Sequence, residues 1–173
     1  MSFIIQIFIV VLCIVSMLSI VWSTLRYGIS PMPSNRKASR AMLSLIPKGH
    51  GHPFIDLGSG WGQFAYQLAK QHPDTIVIGY ERSLLPYFFS LLIYRRPNLS
   101  FRFKDFTKEE LPQNAVFFCY LYPKGMDKLG KQIKKIPFEL ISNTFALTGY
   151  TPISTRSIQD LNNGTAYYYQ NTL

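Results

Sequence analysis

The first 25 positions carry no charged side chain. Residues 3–25 read FIIQIFIVVLCIVSMLSIVWSTL, with Gln6 and a few hydroxyls as the polar exceptions. The run has no polar face, unlike a surface helix of a globular domain. As a helix it extends about 34 Å, enough to cross a hydrocarbon core of ~30 Å. A cleavable signal wants a basic stretch ahead of a shorter apolar core. Here no Lys or Arg precedes the run, while Arg26, Arg36, Lys37 and Arg40 follow it. The pattern predicts a transmembrane anchor over residues 1–25, with Trp22 near one interface and the C-terminal side in the cytoplasm (the matrix side in an organelle).

Beyond the Pro31–Ser34 segment the period changes. In NRKASRAMLSLI (35–46), Ala38, Met42, Leu45 and Ile46 share one face, which predicts a helix capped by Ser34 and ended by Pro47, Gly49 and Gly51. Strands and helices then alternate. Short apolar or β-branched runs predict strands at 53–57, 75–80, 100–104, 115–120 and 139–145. Helical patterns lie at 63–71, 86–94 and 126–133; the second (PYFFSLLIY) is apolar enough to read as a core helix, with docking against lipid as the alternative. A last pair of strands, 154–159 and 165–170, flanks an Asn162-Asn163-Gly164 turn. The expected fold class is α/β: a Rossmann-like, mostly parallel sheet with helices on both faces and a C-terminal antiparallel hairpin. The expected division is an anchor (1–25), a linker with a leading helix (26–52) and a catalytic domain (53–173).

The formal net charge of +9 falls entirely on residues 26–173. A basic domain seeks acidic partners, and the apolar anchor makes an anionic membrane surface the expected one, rather than nucleic acid. Cys13 lies in the apolar run and Cys119 in a predicted buried strand, so the two are not expected to pair. Neither has metal-ligand spacing, and a reducing compartment follows.

The chemistry concentrates at Asp56-Leu57-Gly58-Ser59-Gly60-Trp61-Gly62, after a strand and before a helix. Glycines there allow a sharp turn and bring backbone against a ligand. An acid, Glu81, ends the next strand, where a carboxylate facing the cleft accepts hydrogen bonds from ribose hydroxyls. The glycine spacing is G-x-G-x-G, not the G-x-G-x-x-G of dinucleotide sites.

This loop resembles the first motif of class I S-adenosylmethionine-dependent methyltransferases. The resemblance implies S-adenosyl-L-methionine as cofactor, with Asp56 beside its methionine moiety and Gly58, Ser59, Gly60 and Gly62 forming the loop. It further implies Glu81 on the ribose and Asp105, in Lys104-Asp105-Phe106, at the adenine. Asp105 also suits a turn or a helix N-cap. The end of the fourth strand, Phe118-Cys119-Tyr120-Leu121-Tyr122-Pro123, faces methyl donor and acceptor in that class, which makes Tyr120 and Tyr122 the candidate substrate-pocket residues. Over roughly residues 20–150 the order of motifs is similar to that of the small membrane-anchored protein-lysine methyltransferases, including the ATP synthase c-subunit lysine methyltransferase family. That family reads DLGSGDGR where Trp61 and Gln63 stand here, and its fourth-strand end is more aliphatic. The implied function is a membrane-anchored protein-lysine N-methyltransferase acting on a membrane-associated protein. The alternatives are a lipid or small-molecule methyltransferase and a non-catalytic nucleoside-binding module.

Overall fold

The computed structural model describes residues 3–27, 35–47, 49, 51–159 and 163–172, without the side chains at 12, 16, 19, 20 and 22–27. The side chains of Trp22 and Arg26, the Pro31–Ser34 segment and Asn162 thus lie outside the described residues. Two compact units form, Met1–Met32 and Pro33–Leu173.

The first unit holds helix α1 (Phe3–Tyr27). The apolar helix expected from the sequence is therefore present. Its membrane span is not established: among the described residues, no helix is long and apolar enough to cross a membrane.

The second unit is a seven-stranded sheet in the order β3-β2-β1-β4-β5-β7-β6. Strands β1 (Phe54–Leu57), β2 (Val77–Glu81), β3 (Leu99–Phe103), β4 (Val116–Cys119) and β5 (Phe138–Asn143) run parallel. β7 (Thr165–Asn171) pairs antiparallel with both β5 and β6 (Ser154–Ser157). The central strands FIDL and VFFC are buried at every position, as parallel strands covered on both faces must be. Alternate side chains feed two cores. Phe54, Val116 and Phe118 meet α2 (Arg36–Leu43) and α3 (Gln63–Gln71), while Ile55, Phe117 and Cys119 meet α5 (Pro123–Ile133). Both cysteines remain free thiols.

Several boundaries shift for local reasons. The N-cap of α2 is Asn35 rather than Ser34: its side chain accepts a hydrogen bond from the Ala38 amide at 2.7 Å. α2 is also no mere leader, because Ala38 and Met42 are buried in the core of the sheet's first face. α4 (Leu84–Ile93) and α5 start before the expected Pro86 and Met126, since proline is tolerated in a first turn that has no intrahelical N–H partner. The last strand pair closes at Ser157 opposite Thr165, two positions short of the expected strand end at 159. The largest departure is α4. Expected as a core helix, it buries only Pro86 and Ser90 and exposes most of its large apolar side chains.

Gly62 shows how tightly this face is built. It caps α3 at φ 83°, and an added Cβ would come within 2.7 Å of Ser90 Cβ and 2.8 Å of the Phe101 ring. Gly62→Ala is expected to destabilise the domain by roughly 2–3 kcal/mol, from the left-handed backbone plus overpacking. A lowered urea midpoint would register it; an unchanged midpoint would mean that α4 yields freely.

Candidate active site

The strand order reverses between β1 and β4, and in open α/β sheets ligands bind outside the carboxyl ends of strands at such a point. The glycine loop leaves β1 there. Gly58 and Ser59 donate their amides to the Tyr80 carbonyl, both at 2.9 Å, which ties the start of the loop to β2. Gly58, Gly60 and Gly62 all adopt positive φ, a backbone that favours glycine. Open space surrounds the position that a Gly60 side chain would take. Ser59 behaves differently. Its hydroxyl is buried without a hydrogen-bond partner, and a Cβ built on Gly79 would lie 2.8 Å from it. It packs toward β2, away from the open side.

Glu81 holds the loop. Its Oε2 accepts from the Gly60 amide at 2.8 Å, and its Oε1 accepts from the amides of Ser83 at 2.7 Å and Arg82 at 3.0 Å. The residue is 7% exposed. Spacing alone placed this carboxylate on a ligand; the fold makes it the organiser of two turns, with one acceptor position of Oε2 still open.

Asp56 lies under the loop, 5% exposed, and its carboxylate accepts no hydrogen bond among the described residues. Burial, and then the charge of Glu81, push its carboxyl up to about 7. With no donor of its own and the charge of Glu81 acting on it, the Asp56 carboxylate gains from a cation. Below them, the Cys119 thiol is pushed up by burial and by Asp56, so it is no nucleophile near neutral pH.

Asp105 lies after β3, where the sequence put it, but its oxygens are engaged. Oδ1 accepts from the Thr107 amide at 3.1 Å and hydroxyl at 2.7 Å, capping a single 3-10 turn (Phe106–Lys108). Oδ2 pairs with Arg82 at 3.3 Å. Partial burial alone would raise this carboxyl; the Thr107 hydrogen bonds and the Arg82 charge outweigh it and hold it below the ordinary value.

Tyr120 and Tyr122 follow β4 as expected, and the fold adds a third ring. Phe145 stacks on Tyr120 at 6.2 Å between centroids and meets Tyr122 edge-on at 5.9 Å. No sequence motif marks Phe145; the signal is backbone strain beside it. Thr144, a β-branched residue, sits at φ 65°, a genuine outlier. Bonds from the Thr144 amide to the Thr165 carbonyl (2.9 Å) and from the Ser142 hydroxyl to the Phe145 carbonyl (2.9 Å) hold the turn. Strain of this kind persists only where surrounding structure enforces it.

Strand order, loop and carboxylate together define the fold of class I S-adenosylmethionine-dependent methyltransferases. Comparison with known proteins agrees. An RNA methyltransferase from Salinibacter ruber, crystallised with S-adenosyl-L-homocysteine, superposes with a TM-score of 0.70 at 21% identity, covering 80% of this chain and 93% of that one. The fibrillarin/Nop5p complex gives 0.54 at 13% identity, covering 77% and 81%. A TehB-like S-adenosylmethionine-dependent methyltransferase from Corynebacterium glutamicum gives 0.52 at 12%, covering 78% and 86%. In sequence, 87 residues are 36% identical to the tRNA (guanine-N(7)-)-methyltransferase of Bacillus cytotoxicus, over 44% of this chain and 40% of that protein. The chain thus matches well under half the length of that curated relative. No family model matches.

Proposed function

We propose that this chain transfers methyl groups from S-adenosyl-L-methionine, bound over the carboxyl ends of β1 and β2. The observation that carries this is the pair of buried carboxylates beneath an open glycine loop. Asp56 takes the ammonium of the methionine moiety. The remaining acceptor position of Glu81 Oε2 takes a ribose hydroxyl. The backbone of Gly58–Gly60 lies along the ligand, and Asp105 stands at the adenine end, its carboxylate shared with Thr107 and Arg82. When bound, the cofactor supplies an electrophilic methyl group on a sulfonium. Displacement there depends mainly on holding a nucleophile in line. Tyr120, Tyr122 and Phe145 form the wall that does so and that keeps water away.

The acceptor favoured by the site is a nucleobase in RNA. Three aromatic rings at the acceptor end suit a stacked base. The charge of +9 suits a phosphate backbone. A ring nitrogen with an in-plane lone pair also needs no general base. The partial likeness to RNA and tRNA methyltransferases supports this reading, against the expectation that set nucleic acid aside. The second reading, a lysine of a membrane-associated protein, rests on the same rings as a cation-binding wall and on the family resemblance. A basic domain repels a basic substrate, which counts against it.

Membrane anchoring by α1, with the catalytic domain on the cytoplasmic side, is part of the proposal. It rests on the apolar helix Phe3–Tyr27, which carries no charged residue before Arg26. A C-terminal reporter active only outside the cytoplasm would overturn that topology.

Labelled-methyl transfer from the cofactor into fractionated cell extract tests the whole reading. Label in RNA supports the first acceptor, and methyl-lysine in membrane protein the second. No transfer to any fraction, with calorimetry showing no binding of S-adenosylhomocysteine, would sink the assignment. Within it, Phe145→Ala is expected to raise the acceptor KM roughly tenfold, the scale of one aromatic contact. Cofactor affinity should not change; an equal loss of cofactor affinity would place Phe145 elsewhere in the site.

A further inference from the structure

Helix α4 is built inside out. Its buried residues are Pro86 and Ser90, one turn apart, while Leu84, Phe88, Leu91 and Leu92 are 56, 56, 37 and 68% exposed. Those four sit at i, i+4, i+7 and i+8, which is the apolar stripe that a surface helix normally turns inward. The glycine loop explains the inversion. Ser90 lies so close to Gly62 that no larger side chain fits at that position. Beside the stripe, Tyr87, itself packed against the core, meets the half-exposed Phe103 of the edge strand at 5.4 Å. An apolar patch of this extent marks an interaction surface.

Charge indicates what covers it. From Ser83 to Lys104 there is no acidic residue, while Arg95, Arg96, Arg102 and Lys104 lie within the stretch. Arg95 and Arg102 are exposed. An identical face on a second copy would meet these cations with its own, whereas an anionic leaflet complements them. Chain length points the same way. Asn35 follows Tyr27 by eight positions, so the domain begins no more than about 29 Å from the end of α1.

We propose that the outer face of α4 is a membrane-docking surface. The helix lies in the headgroup region of an anionic bilayer, with Leu84, Phe88, Leu91 and Leu92 at the acyl boundary and Arg95 on lipid phosphates. The docking face itself owes nothing to the methyltransferase reading. The tether argument alone borrows the proposed anchoring by α1.

The test uses the full chain in nanodiscs of phosphatidylcholine with phosphatidylglycerol. Cys13→Ser removes the exposed thiol, and Cys119 is buried. An environment-sensitive fluorophore is placed by Leu92→Cys, and a control by Lys131→Cys on the exposed side of α5. The expected result is a blue shift and loss of most emission to doxyl-labelled lipid at position 92, with neither at position 131. Arg95→Gln should lower the dependence on phosphatidylglycerol. An unshifted, unquenched probe at position 92 overturns the proposal. So does a blue shift that grows with protein concentration and resists lipid quenching, because a second copy then covers the face. Preformed anionic vesicles read the same outcomes if α1 does not insert, so the two membrane proposals fail separately.

Discussion

Glu81→Ala is expected to cost roughly 3–5 kcal/mol of stability and to abolish measurable cofactor binding. The side chain accepts from the amides of Gly60, Arg82 and Ser83. Hydrogen bonds to a charged group contribute about 1.5–3 kcal/mol each, and water recovers part of the loss where the amides are not fully buried. The binding defect follows from the same bonds, because the loop that lies against the ligand loses the tie that orders it. Glu81→Gln separates the two effects. The amide oxygen still accepts from Arg82 and Ser83, but its nitrogen then faces the Gly60 N–H, a donor against a donor. Stability should fall less than in the alanine variant while binding is still lost. Denaturant titration with calorimetry on S-adenosylhomocysteine reads both quantities. Wild-type stability and affinity in Glu81→Ala would remove this residue from the site.

Asp56 is expected to make the ligand-free protein less stable as pH rises. Burial, followed by the charge of Glu81, pushes its carboxyl from 3.8 up to about 7 in the folded chain. The folded state therefore holds a proton that the unfolded chain releases near 3.8. The stability from this group is complete below that pH, declines as pH rises and is gone above about 7. Its full span is on the order of 4 kcal/mol. Asp56→Asn should flatten the decline relative to wild type across that window. A cationic ligand reverses the preference, because an ammonium beside the carboxylate favours its charged form. Cofactor binding at slightly acid pH should then release up to about one proton, visible as a binding enthalpy that depends on the buffer. The Asn variant should release none. A decline of the same size in both proteins would assign the effect to other groups.

The two carboxylates also show which part of a site is legible along the chain and which is not. Their positions follow from strand ends and glycine spacing, which local pattern specifies well. Their roles depend on which N–H groups converge on each oxygen. Glu81 receives three and Asp56 none, a difference that no spacing rule contains. Asp105 was readable as ligand contact or cap; Thr107, two positions on, and Arg82, from the end of β2, engage both its oxygens.

The sequence by itself determined the alternation of strands and helices, the mostly parallel sheet, the glycine loop after β1 and the acid at the end of β2. Each of these rests on local periodicity or on backbone chemistry within a few residues. Tertiary structure alone decided three other things. It turned an apolar stripe of α4 outward, with Ser90 set against Gly62 where no larger side chain fits. It brought Phe145, 25 positions beyond Tyr120, into ring contact through a strained turn at Thr144. It also pushed Asp56 up to about 7, because burial and a neighbouring charge act through space and not along the chain.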